Sequence, residues 1–106
     1  MNADEQLGFR ALADPTRRGI LRLLATDEMT IAQVADNFDM TRAAVKKHLT
    51  ILHEGDLISV RVDGRSRLNA LNPEGLGRVF DWFGYFDAFW NDNLHKLKIE
   101  IDKVVQ

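Results

Sequence analysis

The side chains of this sequence with the clearest chemical purpose are cationic. Between Thr41 and Leu52, the residues Val45, Leu49 and Leu52 recur at helical spacing and define a buried stripe. Arg42, Ala43, Lys46, Lys47, Thr50 and His53 fall outside it and face solvent or a partner. Thr41 can cap this helix, because a threonine oxygen accepts from the free amides of a first turn. A basic surface with one small residue, on a helix of about three turns, suits the major groove of DNA. A merely solvated face is the plain alternative for this stretch taken alone.

No other chemistry is organised along the chain. There is no cysteine, so disulfides, thiolate metal sites and cysteine redox chemistry are excluded. Ser59 and Ser66 have no base in predictable reach, and no phosphate-binding glycine loop occurs. His48 lies beside the buried stripe, where it packs the helix or touches a phosphate. His53, near the helix end, favours the negative end of the helix dipole. The sequence is not that of an enzyme, and no cofactor is expected.

The totals place this basic stretch in context. A chain of 106 residues makes one domain with a modest core. Its 45% hydrophobic and 28% charged composition is that of an ordinary soluble protein. No apolar run approaches the roughly 20 residues of a membrane span. The start, Met-Asn-Ala-Asp-Glu, is too acidic for a signal peptide, so a cytoplasmic location without membrane contact is expected. The formal net charge is −2, yet Thr41 to Leu71 holds six lysines and arginines against three acids, a balance of +3 that leaves −5 elsewhere. One basic segment on an acidic molecule is the footprint of a site.

The elements that must position this segment follow in order. Asp4 to Leu12 reads as a first helix with Leu7 and Ala11 inward. Asp14-Pro15 opens a second, since aspartate caps well and proline suits the first helical position. Thr30 caps a third, Ile31 to about Phe38, and Asp39-Met40 links it tightly to the helix after Thr41. Two short helices so joined make a helix-turn-helix over about 30–54. Gly55 is expected to end it in the left-handed conformation. Leu57 to Val62 and Ser66 to Leu71, around Asp63-Gly64, read as a hairpin carrying Arg61, Arg65 and Arg67, a wing over about 57–71.

A last helix is expected to run unbroken over about 74–104. Its apolar positions Leu76, Val79, Phe80, Phe83, Phe86, Trp90, Leu94, Leu97, Ile101 and Val104 step by threes and fours. Seven of the nine aromatics lie between Phe80 and Trp90, and Trp82, Phe86 and Phe89 widen the apolar arc beyond one core contact. A second copy of the chain is the simplest cover for that surface.

With these elements in place, Ala11-Leu-Ala-Asp-Pro-Thr-Arg-Arg-Gly-Ile-Leu21, Val45-Lys-Lys-His-Leu49, Gly55-Asp-Leu57 and Gly64-Arg-Ser-Arg67 resemble the ArsR-type family of bacterial winged-helix repressors. The resemblance implies a mainly α fold with a small β-hairpin, in the order α-α-α-α-β-β-α, dimeric through the terminal helices. It implies a homodimer that binds a palindromic operator and commonly represses its own promoter. Arg42, Ala43, Lys46 and Lys47 then sit where the family reads base edges and neighbouring phosphates, Thr41 where a hydroxyl holds a phosphate, and Arg65 and Arg67 on the wing. The DNA-facing set is completed by His48 and Arg61. The interface set comprises Leu7, Phe80, Phe83, Phe86, Phe89, Trp90, Leu94, Leu97 and Ile101.

Many members sense metals, and here the chain departs from them. Their paired cysteines fall near Thr30 and Ala32, which cannot bind a soft metal. On the last helix Asp92 and His95 lack the family's His-x-x-Glu partner and supply too few ligands. The resemblance is therefore to a metal-independent branch, with no metal site. An inducer is unspecified, and a sensor pocket among the Phe80–Trp90 aromatics is compatible with repression. The rival reading is a winged-helix module that binds a partner protein through the aromatic helix and makes little use of DNA.

Overall fold

The computed structural model describes residues 3–105. Helices α1 (Ala3–Leu12), α2 (Pro15–Leu24), α3 (Ile31–Phe38) and α4 (Arg42–Glu54) precede an antiparallel hairpin, β1 (Ile58–Asp63) and β2 (Ser66–Leu71). Helix α5 (Pro73–Phe83), a 3₁₀ turn at Gly84–Phe86 and helix α6 (Asp87–Val105) follow. This is a winged helix-turn-helix.

Local chemistry accounts for the starts of the helices. The Asp14 carboxylate accepts from the Arg17 amide at 3.0 Å, with Pro15 first in α2. Thr30 accepts from the Gln33 amide at 3.2 Å while Gln33 Oε1 accepts from the Thr30 amide at 2.9 Å, a complete capping box. Asp39, left-handed at φ 51°, turns the chain sharply from α3 into α4. Thr41 Oγ1 accepts from the Ala44 amide at 3.1 Å and caps α4.

The core lies between α2, α3 and α4, and Leu57 and Ile58 close it from the hairpin side. Ile20, Val34, Val45, Leu52, Leu57 and Ile58 are its largest fully buried side chains. Arg17 and Arg18 hold the end of α1 to α2: Arg17 Nε donates to the Ala11 carbonyl at 2.8 Å and Arg18 Nη1 to the Leu12 carbonyl at 2.7 Å. These satisfy carbonyls that a helix end leaves open. Met29 and Asn69 exchange backbone hydrogen bonds of 3.0 and 2.7 Å, which ties the hairpin to the α2–α3 connection.

Three expectations need correction. Gly55 is right-handed at φ −78°, and the left-handed residue is Asp56 at φ 62°. Gly55 is small for a different reason: a Cβ there would stand 2.8 Å from the Leu7 carbonyl oxygen and 3.2 Å from Gly8 Cα, because α1 crosses α4 at this point. Second, the last helix is broken. The 3₁₀ turn tightens the backbone at Gly84, and Trp90 Nε1 donates to the Phe83 carbonyl at 3.2 Å, occupying an acceptor near the break. Third, Trp82, expected on the outward part of the apolar arc, is half-buried, while Val79 is buried and Phe80 points outward, 74% exposed. Trp82 packs edge-on against Phe9 of α1 at 5.5 Å between centroids.

Candidate nucleic-acid interface

Helix α4 divides its residues as its periodicity predicts. Val45, Leu49 and Leu52 are buried, and Thr41, Arg42, Ala43, Lys46, Lys47, Thr50 and His53 are all exposed. Because Thr41 Oγ1 caps by accepting, its O–H remains available to donate outward at the positive end of the helix. Thr50 spends its hydroxyl hydrogen on the Lys46 carbonyl at 2.9 Å, so only its oxygen faces out.

The hairpin sorts the three wing arginines. Asp63 pairs with Ser66, so Gly64 and Arg65 form a two-residue loop, with φ positive at Gly64 alone. That pattern is the one a type II′ turn requires. Arg65 stands exposed at the tip. Arg61 is paired across the ladder with Leu68, so it and Arg67 point to opposite faces. Arg61 is drawn away from the tip into an ion pair with Glu28. The hydrogen bond from Arg61 holds the Glu28 carboxyl below its usual range, and the same bond raises Arg61. Arg67 instead faces α4 across an open cleft shared with Lys46.

His48 is placed inward of the other α4 residues singled out. It is half-buried, with Nδ1 3.9 Å from Asp14 Oδ2 and without a hydrogen-bond partner among the described residues. The Arg17 amide chiefly, then the charges of Arg17 and His48, hold the Asp14 carboxyl below its usual range. The basic face therefore comprises Arg42, Lys46, Lys47, Arg65 and Arg67, with Thr41 and Ala43 between them. Sequence reasoning missed Glu28, whose place beside the hairpin follows from the Met29–Asn69 pairing and has no local signal.

A second surface lies at the ends of the chain. Phe9, Trp82, Phe83 and Phe86 form a chain of edge-on ring contacts between α1 and the α5–α6 elbow. Beyond it, residues 87–104 of α6 are all exposed. Trp90, Leu94, Leu97, Ile101 and Val104 follow one another by four and three residues, so they share one face of the helix. Leu7 lies half-buried on α1. Among the described residues no three His, Asp or Glu side chains gather to hold a metal ion, and no helix is long and apolar enough to cross a membrane.

Comparison with known proteins bears on this arrangement. A family model described as a helix-turn-helix domain matches residues 12–61. The transcriptional repressor SdpR of Bacillus subtilis (strain 168) is 35% identical over 74 residues, 70% of this chain and 82% of that protein. The crystal structure of an ArsR family transcriptional regulator, RHA00566, superposes with a TM-score of 0.73 at 32% identity, covering 83% of this chain and 97% of that one. The chain belongs to the ArsR family.

The ArsR-family fold extends to a solution structure from Mycobacterium bovis, Mb0332, with a TM-score of 0.67 at 25% identity over 80% of this chain and 79% of that one. That protein is described as a homodimeric winged helix-turn-helix DNA-binding domain. As a member of the ArsR family this chain is a transcriptional regulator with a winged helix-turn-helix DNA-binding domain, not an enzyme.

Proposed function

We propose that this regulator is a cytoplasmic, cofactor-free homodimeric repressor that binds a palindromic operator, commonly that of its own promoter, and does not respond to metal. The observation that carries the reading is the exposure on one face of Thr41, Arg42, Ala43, Lys46 and Lys47, with Arg65 and Arg67 on the adjoining wing. Helix α4 enters the major groove, and Arg65 reaches the flanking backbone. The dimer closes through α1, the α5–α6 elbow and α6, with Leu7, Phe80, Phe83, Phe86, Phe89, Trp90, Leu94, Leu97 and Ile101 as its apolar surface. A 19-residue helix whose side chains from 87 to 104 are all exposed is only marginally stable in water by itself, and a second copy of α6 supplies what it lacks. Two-fold symmetry then sets the recognition helices about 34–36 Å apart, one turn of DNA. Anything that loosens the α6 pairing turns the reading heads out of register.

The test is fluorescence anisotropy on the chain's own upstream DNA against scrambled DNA, over a salt series. Sequence-dependent binding at physiological salt with two protomers per site is expected. Weak binding, equal on both DNAs and lost in modest salt, refutes the reading and favours a partner protein on the aromatic elbow. Arg65→Ala is expected to weaken all sequences alike and to reduce the salt slope by about one.

A further inference from the structure

The α5–α6 elbow carries two hollows of different chemistry. One is walled by the rings of Trp82, Phe83, Phe86, Phe89 and Trp90 and presents no polar surface. The other is open to solvent, about 650 Å³ in volume, and lined by Phe80, Asp81, Phe83, Gly84, Asp87 and Trp90. That volume falls within the range of small-molecule sites, about 300–1,000 Å³. Phe80, Phe83, Asp87 and Trp90 step by three and four residues across the break, which keeps them on one side of the elbow. Gly84 leaves this hollow open, since a Cβ there would meet nothing within 4 Å.

We propose that the second hollow binds a lipophilic organic cation, seated against the rings of Phe80, Phe83 and Trp90 and held by the carboxylates of Asp81 and Asp87. Both carboxylates are exposed, and neither has a hydrogen-bond or ion-pair partner among the described residues. The donors beside them are already spent. Trp90 Nε1 donates to the Phe83 carbonyl at 3.2 Å, and the Gly84 amide donates to the Asp81 and Trp82 carbonyls. No lysine, arginine or hydroxyl lines the hollow, so it attracts positive charge and offers an anion nothing. Aromatic faces draw a cation within about 6 Å of the ring centre through their quadrupole. Rings supply the apolar contact and two carboxylates supply the sign.

A second copy of the chain suits the wholly apolar hollow better than this one. An apolar surface laid over Asp81 and Asp87 would strip water from two carboxylates without pairing them. A cation brings the countercharge with it. Phe83 and Trp90 wall both hollows, so a bulky cation meets rings on which the partner would rest, and occupancy opposes dimerisation. A ligand with higher affinity for the separated chain shifts the equilibrium away from the dimer, which makes the cation an inducer. That coupling rests on the homodimer reading above, whereas binding of the cation does not.

Isothermal titration calorimetry of the full chain with tetraphenylphosphonium, and with tetraphenylborate as an anion of the same shape, tests the site. The phosphonium is expected to bind once per protomer, and the borate about tenfold more weakly or less. Asp81→Asn and Asp87→Asn should each weaken the phosphonium about two- to fivefold, and the double variant should lose most of the preference for it. Asp92→Asn, an exposed acid of α6 outside the hollow, should bind like the wild type. Gly84→Leu, at an ordinary φ of −61° with room for a Cβ, should fill the hollow and abolish binding while both acids remain. No phosphonium binding, equal binding of the two ions, or an affinity unchanged in the double variant and in Gly84→Leu overturns the site. In sedimentation equilibrium the phosphonium should raise the dimer dissociation constant of the wild type and leave that of the double variant unchanged. Binding without that rise overturns the coupling alone. A wild type that is monomeric without ligand overturns the homodimer reading, and the calorimetry still decides the site.

Discussion

Truncating Leu97 to alanine probes the uncovered seam of α6 at its centre. Leu97 is 52% exposed in the single chain, so about half of the benefit of burying it is still to be gained. Full burial of a leucine stabilises by about 1.5–3 kcal/mol, which leaves about 1 kcal/mol for a partner to supply. A two-fold symmetric interface contains the position twice, so Leu97→Ala should cost the dimer about 2 kcal/mol and raise its dissociation constant about 30-fold. Sedimentation equilibrium over a concentration series measures this directly. Val62→Ala is the control, since Val62 is 66% exposed but lies on the hairpin, and its dissociation constant should match the wild type. A Leu97→Ala protein that dimerises like the wild type would refute the seam, and a wild type that is monomeric throughout the series would refute the dimer.

Three further predictions concern the scaffold. A Cβ on Gly75 would stand 1.6 Å from the Asp56 carbonyl oxygen, whereas one on Gly77 would meet nothing within 4 Å. Gly75→Ala should therefore destabilise by about 1–3 kcal/mol or more, and Gly77→Ala in the same helix should stabilise by up to about 1 kcal/mol, both read from urea unfolding. Thr30→Ala removes one half of the capping box and should cost about 1 kcal/mol, with the same assay deciding. Glu28 has its pKa lowered in the folded chain from the ordinary 4.5. Its contribution is therefore complete above that value and lost as pH falls through the folded pKa. Acid unfolding of Glu28→Gln followed by circular dichroism should show a shallower pH dependence below about pH 4.5 than the wild type, and identical curves would show that the Arg61 pair contributes nothing.

Where a signal is local, the chain discloses its structure. Thr30-x-x-Gln33, Asp14-Pro15 and Thr41 mark helix starts because each cap is completed within three residues. The stripe Val45, Leu49, Leu52 marks the buried side of α4 because one period governs it. The signals that failed were those decided by a distant neighbour. Gly55 looks like a helix terminator, but the close crossing of α1 is what demands a glycine there. Phe80 and Trp82 both suit an apolar arc, and only the position of Phe9 on α1 determines that Trp82 turns in. The break at Gly84 interrupts a pattern that continues through it, so threes and fours alone read as one helix.

The same distinction governs the charges that matter for function. A net −2 says little about DNA, because several cations are already committed to neighbours within the fold. Arg17 and Arg18 serve the carbonyls at the end of α1, Arg61 is paired with Glu28 and Arg78 with Asp56. Among the described residues, Arg42, Lys46, Lys47, Arg65 and Arg67 have no such carboxylate or carbonyl partner, and all five are exposed. Counterion release on DNA depends on cations that are free to meet phosphate. Sequence reasoning placed all the basic residues of the helix and wing in one set. The ladder register moves Arg61 out of it, because a strand reverses faces at each residue and Arg61 lies on the face opposite Arg67. The remaining five occupy α4 and the far end of the hairpin, the two parts of the fold that a duplex can reach together.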